Sequence, residues 1–454
     1  MNGTSSTCAQ MTDHSFTVAL DQLSSTQGLD LQRIQPPTHD IHQWHTAEGA
    51  HVQLIANRDR PMFDLVLRFK AGSAFDGDKP GLAALTFELL DGARVAEQLQ
   101  GVGAIMEHNI TRDYTMFMLR GLSLPALRAR VMQLVTQMIA RPAFGPPDFS
   151  AARKRLLDEQ KASNDVDAML LGTIEAHMFA GHPYATGHTG TTEGLARITP
   201  EQVATFHRQA YGSGNLEIGL VGDLSLEEAE TLIAPLVQAL PQHWMAITPP
   251  PLPITKGQTV HLEQPSSNTR IWLTLPLRAY PTDTDYPALL MVDKMLGANF
   301  ESRLTTELRL RRGLTYSIQS VLVSRDAGCL WHIIWDTRPA YRDASLALVL
   351  DLIKCFGEQG PTKAECEFAL NHFAGQLLRL MADSAALAKG LTILGHRKHP
   401  ADQLAHYLDK LAVLEPENIR QVARGMNLNE AFIVTAGPAV DQQPLPTIGE
   451  PASP

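Results

Sequence analysis

Long apolar runs are missing from this 454-residue chain. No stretch of about 18 apolar residues occurs, so a membrane-spanning helix is not expected. Cysteine is scarce: Cys8, Cys329, Cys355 and Cys366 form no CxxC pair and no zinc-ribbon spacing. Most of them read as buried or idle thiols, a pattern that neither requires nor excludes an oxidising compartment. A Walker loop, a Rossmann fingerprint and a G-x-S-x-G elbow are all absent, which removes their three chemistries. Positive charge is in the minority, 38 Lys and Arg against 48 Asp and Glu for a net charge of -10. A nucleic-acid surface is therefore not expected. The first 30 or so residues are rich in Ser, Thr and Gln and lack the basic start and apolar core of a secretory signal. The chain is expected in the cytoplasm, with the periplasm as the alternative.

What is present fits a soluble globular protein with ample core, 44% hydrophobic and 19% charged. The length implies two to four domains. Three punctuated regions divide it. Residues 1–40 are polar, end near Pro36-Pro37 and read as a flexible lead-in. Residues 241–257 hold Pro249-Pro250-Pro251 and Pro253 and read as an extended linker. Residues 439–454 form a Pro-rich tail, expected to fray.

The two long segments, 41–240 and 258–438, echo each other. The first offers strands at His51–Ile55 and Phe63–Lys70, a helix at Gly81–Leu90, and a helix after Thr199-Pro200 leading into Leu216–Asp223. The second offers a strand at Thr269–Leu277, a helix at Tyr286–Leu296, and a helix after Glu415-Pro416 leading into Phe432–Gly437. Gly92 and Gly297, Pro200 and Pro416, and Gly222 and Gly437 stand in matching contexts roughly 210 residues apart, as a duplication would leave them. The expectation is an α+β chain of two tandem homologous sandwich domains with mostly antiparallel sheets. Pro at the first helical position is harmless because its missing N–H has no partner there.

Two segments carry chemistry. The first is Gly81–Leu89. In the zinc motif H-x-x-E-H, histidines at i and i+4 share one helix face and converge on a metal, while the glutamate activates the bound water. Ala84 and Glu88 stand at the two ligand positions here, and Phe87 at the base position. Alanine and phenylalanine offer no lone pair, and H-x-x-E-H occurs nowhere else. A third, acidic ligand would fall some 70 to 80 positions on, near Asp158, Glu159 or Asp165, with nothing to complete. No metal is expected in this chain.

The second is Leu308–Tyr316. Arg309 and Tyr316 flank Gly313, a helix-stop residue. This puts Arg309 on a last helical turn and Tyr316 near the start of a strand at Leu314–Val323. A guanidinium and a phenol suit the holding of a peptide carbonyl or its developing oxyanion. Spacing by itself favours a plainer description, a surface helix cation and an ordinary strand aromatic.

The neighbouring residues change that balance. Asp285-Tyr286-Pro287-Ala288-Leu289, Met295-Leu296-Gly297, Glu301-Ser302-Arg303-Leu304 and Arg309–Ser317 follow one another as in the C-terminal domain of pitrilysin/insulinase-like zinc metallopeptidases. Lys70–Asp76, Gly181-His182-Pro183-Tyr184, Ile198-Thr199-Pro200 and Val221-Gly222-Asp223 are similar to landmarks of that family's N-terminal half. The resemblance covers residues 40 to 440. It implies a half-clamshell of two α+β domains, and it resembles the zinc-free subunit of the two-chain bacterial members. In those, a homologous H-x-x-E-H partner holds zinc, and the Arg/Tyr pair reaches the peptide or unfolded-chain substrate. The zinc-free subunit of mitochondrial processing peptidase is a weaker likeness, because its long Gly-rich loop has no counterpart near Leu296–Asn299. A structural scaffold of the same fold, or a homodimeric peptide-binding module, is the alternative.

Other clusters carry less. His39, His42 and His45, with His51 beyond, lack a helical frame and are not expected to bind metal. His182 is expected to be structural, and His396 and His399 to sit in a solvated turn.

Overall fold

The computed structural model describes residues 38–446 apart from 91, 143, 163–164, 243–244 and 255. The proposed lead-in falls almost wholly outside the described residues, as does the last part of the tail. Six strands build the first sheet: β1 (Ile41–His45), β2 (His51–Ala56), β3 (Met62–Phe69), β4 (Ile105–Ile110), β5 (Thr115–Leu122) and β6 (Leu216–Gly222). Five build the second: β7 (Gln258–Glu263), β8 (Thr269–Leu277), β9 (Ile318–Arg325), β10 (Gly328–Thr337) and β11 (Phe432–Gly437). The strand orders are β1-β2-β6-β3-β5-β4 and β7-β11-β8-β10-β9. Without β1 the two orders correspond strand for strand. In each sheet one pair is parallel, β2 with β6 and β7 with β11, and the other pairs are antiparallel. The α+β expectation with mostly antiparallel sheets holds.

The helix starts follow the residues that signal them. Thr199 accepts from the Gln202 amide and Gln202 returns the bond, a capping box followed by Pro200 at the first helical position. Glu415, Pro416 and Asn418 repeat the device at the Pro416–Arg424 helix. One strand boundary differs from expectation. β9 begins at Ile318, so Tyr316 lies in the preceding bend. Thr315 Oγ1 bonds both the Ser317 carbonyl and the Ser317 amide, which holds the backbone out of the ladder.

Each sheet is covered on both faces. The larger core lies between the first sheet and helices such as Pro125–Ala140 and Leu226–Ala239. Its counterpart lies between the second sheet and helices such as Tyr286–Leu296 and Arg342–Gln359. The opposite faces are covered by exchange. Ile55, Val66, Met116 and Val221 of the first sheet pack on Leu387, Ala388 and Leu391 of the Ser384–His396 helix, which comes from the second half. Trp272, Ile334, Phe432 and Val434 of the second sheet pack on Leu170, Ile174 and Met178 of the Val166–Met178 helix, which comes from the first. Burial on both faces explains why β3 and β8 read as nearly continuous apolar runs rather than alternating ones.

Between the sheets, the described part of 241–257 forms neither helix nor strand. It is fastened at several points: the Leu252 amide donates to Ala327 O, and Leu252 is buried. Of the expected tail, the described residues 439–446 are held at several points. The Gln443 amide donates to Ala340 O, and Leu445 packs on the second core. Among the described residues no helix is long and apolar enough to cross a membrane.

Candidate functional site

The Leu82–Leu89 helix is held at its start by a residue the sequence reading passed over. Asp76 is buried, and its carboxylate accepts from the Gly81 and Ala83 amides, both at 2.7 Å. These satisfy amides that lack helical partners. Burial pushes the Asp76 carboxyl up to about 7, against those two hydrogen bonds.

Along this helix Ala84 is 2% exposed and packed in the core. Phe87 lies with its ring 5.3 Å from His108 and 5.9 Å from Phe117. Glu88 is paired with Arg155 of the Pro146–Ala162 helix, which gives that acidic side chain a partner. Of the acidic residues further on, Asp158 pairs with Lys154, Glu159 is exposed, and Asp165 caps the Val166–Met178 helix by accepting from the Asp167 amide. These residues do not fit zinc. One position is a methyl in the core, one is a phenyl among aromatics, and the one carboxylate already carries a guanidinium. Among the described residues no group of three His, Cys, Asp or Glu could hold a metal ion.

Of the N-terminal histidines, His42, His45 and His51 lie in the β1–β2 strand pair and His39 just before it. His45 stacks on His51 at 4.7 Å, and His51 Nδ1 lies 2.7 Å from Glu217 Oε2.

Arg309 and Tyr316 come together. Thr305–Arg311 is a π-helical turn, a form that recurs at functional sites. The Gly313 amide donates to Arg309 O at 3.1 Å, and Gly313 has φ +60°, so the chain reverses there without the strain a side chain would add. This returns Tyr316 over the guanidinium of Arg309, 4.6 Å from its ring centroid. Phe300, which the sequence reading did not single out, lies 4.5 Å from the same guanidinium. The two aromatics are 83% and 59% exposed. Cation–π contacts on this scale stabilise by about 0.5–1 kcal/mol at exposed sites.

The arginines nearby are committed elsewhere. Arg303 holds Glu365, and Arg311 and Arg312 both hold Glu307. Arg309 makes no hydrogen bond or ion pair among the described residues, and neither does the Tyr316 hydroxyl. The arrangement is a half-buried, stacked guanidinium with its donors unspent beside an exposed, free phenol. Chemically it can receive a carbonyl oxygen or an oxyanion.

Between the halves lies a buried polar cluster that no local pattern announced. Arg112 pairs with Glu175, and Tyr184 donates to Asp113 Oδ1. The Asp326 amide donates to Asp113 Oδ2 at 3.4 Å, and His396 Nε2 lies 2.6 Å from Asp326 Oδ1. His396 is buried, which corrects the expected solvated turn: the Ser384–His396 helix carries it under the first sheet. His182 has a structural position. Its Nδ1 accepts from the Tyr184 amide, so Nε2 carries the proton and donates to Pro250 O at 2.8 Å. Cys329 and Cys366 are free thiols that burial pushes up to about 11, too high for reactive thiolates at neutral pH.

Residues 197–373 match the family description "Peptidase M16 inactive domain". A crystal structure of a peptidase M16 inactive domain from Pseudomonas fluorescens is 30% identical, with a TM-score of 0.85. The match covers 90% of this chain and 100% of that one. An uncharacterised zinc protease of Streptomyces coelicolor is 23% identical over 77% of each chain. A Helicobacter pylori protein named as a non-peptidase homologue is 23% identical over 69% of this chain and 74% of its own length. On the identity and full coverage of the Pseudomonas fluorescens structure, the chain belongs to the peptidase M16 family, as an inactive member of it.

Proposed function

We propose that this chain is the zinc-free subunit of a two-chain metalloendopeptidase, acting on peptides or unfolded chains. A homologous H-x-x-E-H subunit supplies the metal, the attacking water and the general base. This chain contributes Arg309 and Tyr316, which donate to the scissile carbonyl and hold the charge that develops on its oxygen. The observation that carries the reading is the Arg309 guanidinium, stacked between two exposed aromatics and without a carboxylate partner. A cation kept uncommitted at a surface costs its neighbours little and serves a ligand. Ala84, Phe87 and Glu88 support the other half of the reading, because the metal then has to come from elsewhere.

A scaffold role is the second reading, favoured by the non-peptidase name of the Helicobacter pylori relative. Co-expression with an H-x-x-E-H homologue from the same genome, followed by a quenched-peptide cleavage assay and zinc analysis, separates the two. The expected result is a one-to-one complex with about one zinc, active only when both chains are present. Arg309→Ala lowers kcat by about 100-fold and Tyr316→Phe by about tenfold, with assembly unchanged. A complex whose activity ignores both substitutions, or no complex at all, leaves the scaffold.

A further inference from the structure

A cavity of about 520 Å³ opens beside the C-terminal end of the Leu82–Leu89 helix. Its rim carries Arg94, Arg130, Arg141 and Arg155 against Glu88 and Asp148. In a chain of net charge -10 this is a local reversal of sign. Glu88 engages Arg155. Arg130 bonds only the neutral Gln133 amide oxygen, at 2.8 Å, and neither Arg130 nor Arg141 has a carboxylate partner among the described residues. The floor is apolar: Leu89, Val95, Leu134 and Met138 line it, and each is buried. Low-dielectric walls of this kind concentrate the field of the arginines above them.

The spacing narrows the ligand. Arg130 lies on the Pro125–Ala140 helix and Arg141 is its C-terminal cap. The two are three helical turns apart, on one side and separated by about 16 Å of rise. Leu134 and Met138 lie on the same side between them. An extended peptide covers that distance in about five to six residues, and only an even spacing keeps two side chains on one face. A lone oxyanion would meet one arginine and leave the apolar floor in water.

We propose that this cavity is a docking site for an acidic peptide segment. Carboxylates six residues apart, on one face of the extended peptide, meet Arg130 and Arg141 through their long side chains, and the two apolar side chains between them on that face rest on Leu89, Leu134 and Met138. Guanidinium–carboxylate pairing supplies both the geometry and the charge. The site is built only from residues 88–155 and uses neither Arg309 nor a partner chain. Its test therefore stands or falls apart from the split-enzyme reading.

The experiment is fluorescence anisotropy with the full chain and a labelled Glu-Ala-Leu-Ala-Leu-Ala-Glu peptide, whose glutamates and leucines share one face when extended. Its Lys-for-Glu counterpart serves as control and inorganic phosphate as competitor. The acidic peptide is expected to bind, more weakly as salt rises, and the basic one not. Arg130→Glu and Arg141→Glu each weaken binding by roughly tenfold or more, and Arg130→Gln by less. Both sites are exposed, and unchanged thermal unfolding verifies that the variants fold. Equal binding of the two peptides, or affinity indifferent to both arginines, overturns the proposal. Displacement of the peptide by phosphate at matching affinity also overturns it, in favour of a simple oxyanion site.

Discussion

His332 illustrates how far a single residue's chemistry is set by packing. Its Nδ1 accepts from the Trp272 indole N–H at 2.9 Å and the Thr274 hydroxyl at 2.8 Å, so the ring is neutral with its proton on Nε2. Burial lowers its pKa to about 3, and the Arg325 and Arg112 charges push the same way. The unfolded chain protonates near pH 6.5 and the folded one does not, so this residue's contribution to stability falls with pH over that window. By pH 5 the loss is about 2 kcal/mol. Asp76 and Glu175 act oppositely. Burial pushes both up to about 7, so between there and the ordinary carboxylate range the folded state takes up protons first and gains as pH falls. The diagnostic is therefore a difference between proteins. His332→Leu strands two donors and is less stable than the natural chain at pH 7.5, and the gap narrows by about 2 kcal/mol on going to pH 5. Urea midpoints at both pH values measure it. At this scale the sequence was informative where chemistry is local. The missing lone pairs at Ala84 and Phe87 can be read from residue type alone. Phe300, Asp76 and the burial of His396 depend on where the chain returns, which residue type does not encode.

At the scale of elements, the contact of the Ser384–His396 helix with β6 depends on one missing side chain. A Cβ on Gly219 would lie 2.1 Å from Ala388 O, and the helix backbone cannot yield as a flexible side chain would. Gly219→Ala is expected to cost about 3 kcal/mol, through displacement of the helix from the sheet. Gly172 is the control. It lies in the partner-exchanged Val166–Met178 helix, a Cβ there meets nothing within 4 Å, and Gly172→Ala should stabilise by about 0.5–1 kcal/mol. Denaturant midpoints of the two variants should move in opposite directions. The elements themselves were largely legible. Strands β3, β6, β8 and β11 lie within a residue or two of their expected bounds and the helices at Pro200 and Pro416 start where expected, because apolar runs and capping residues act over a single turn or strand. The Ile318 start of β9 was not. The Thr315 side chain competes with the ladder there, and Tyr316 reads like any strand aromatic until that bond is seen. The destination of the Ser384–His396 helix was also hidden. Its small and apolar residues fit many sheets, and only tertiary contact selects one.

The exchange of helices ties the two sheets into one folding problem. A chain cut within 241–257 gives a first fragment with a complete large core but with Ile55, Val66, Met116 and Val221 uncovered on the other face. Burying a Leu or Val stabilises by about 1.5–3 kcal/mol, so Leu387 and Leu391 alone bring several kcal/mol to that face. The second fragment is in the same position, because Leu170, Ile174 and Met178 cover Trp272, Ile334 and Phe432. The buried pairs at the junction add a penalty: without the other half, Asp113 loses the Asp326 amide, and Asp326 sits away from the first sheet it normally meets. Polar groups left in such an interface are costly when unpartnered. Residues 38–240 expressed alone should therefore bind a hydrophobic dye and self-associate. The same fragment co-expressed with residues 241–446 should form a stable non-covalent pair that unfolds as one unit. Size-exclusion chromatography and thermal unfolding of the three samples decide the matter. A monomeric, dye-negative first fragment with its own cooperative transition would mean that the covered face needs no cover. The sheets would then be separate units merely lying side by side. If the pair forms only together, a rearrangement in one half cannot leave the other unaltered, and a ligand at either the Arg309 surface or the arginine-rimmed cavity acts on a single cooperative body.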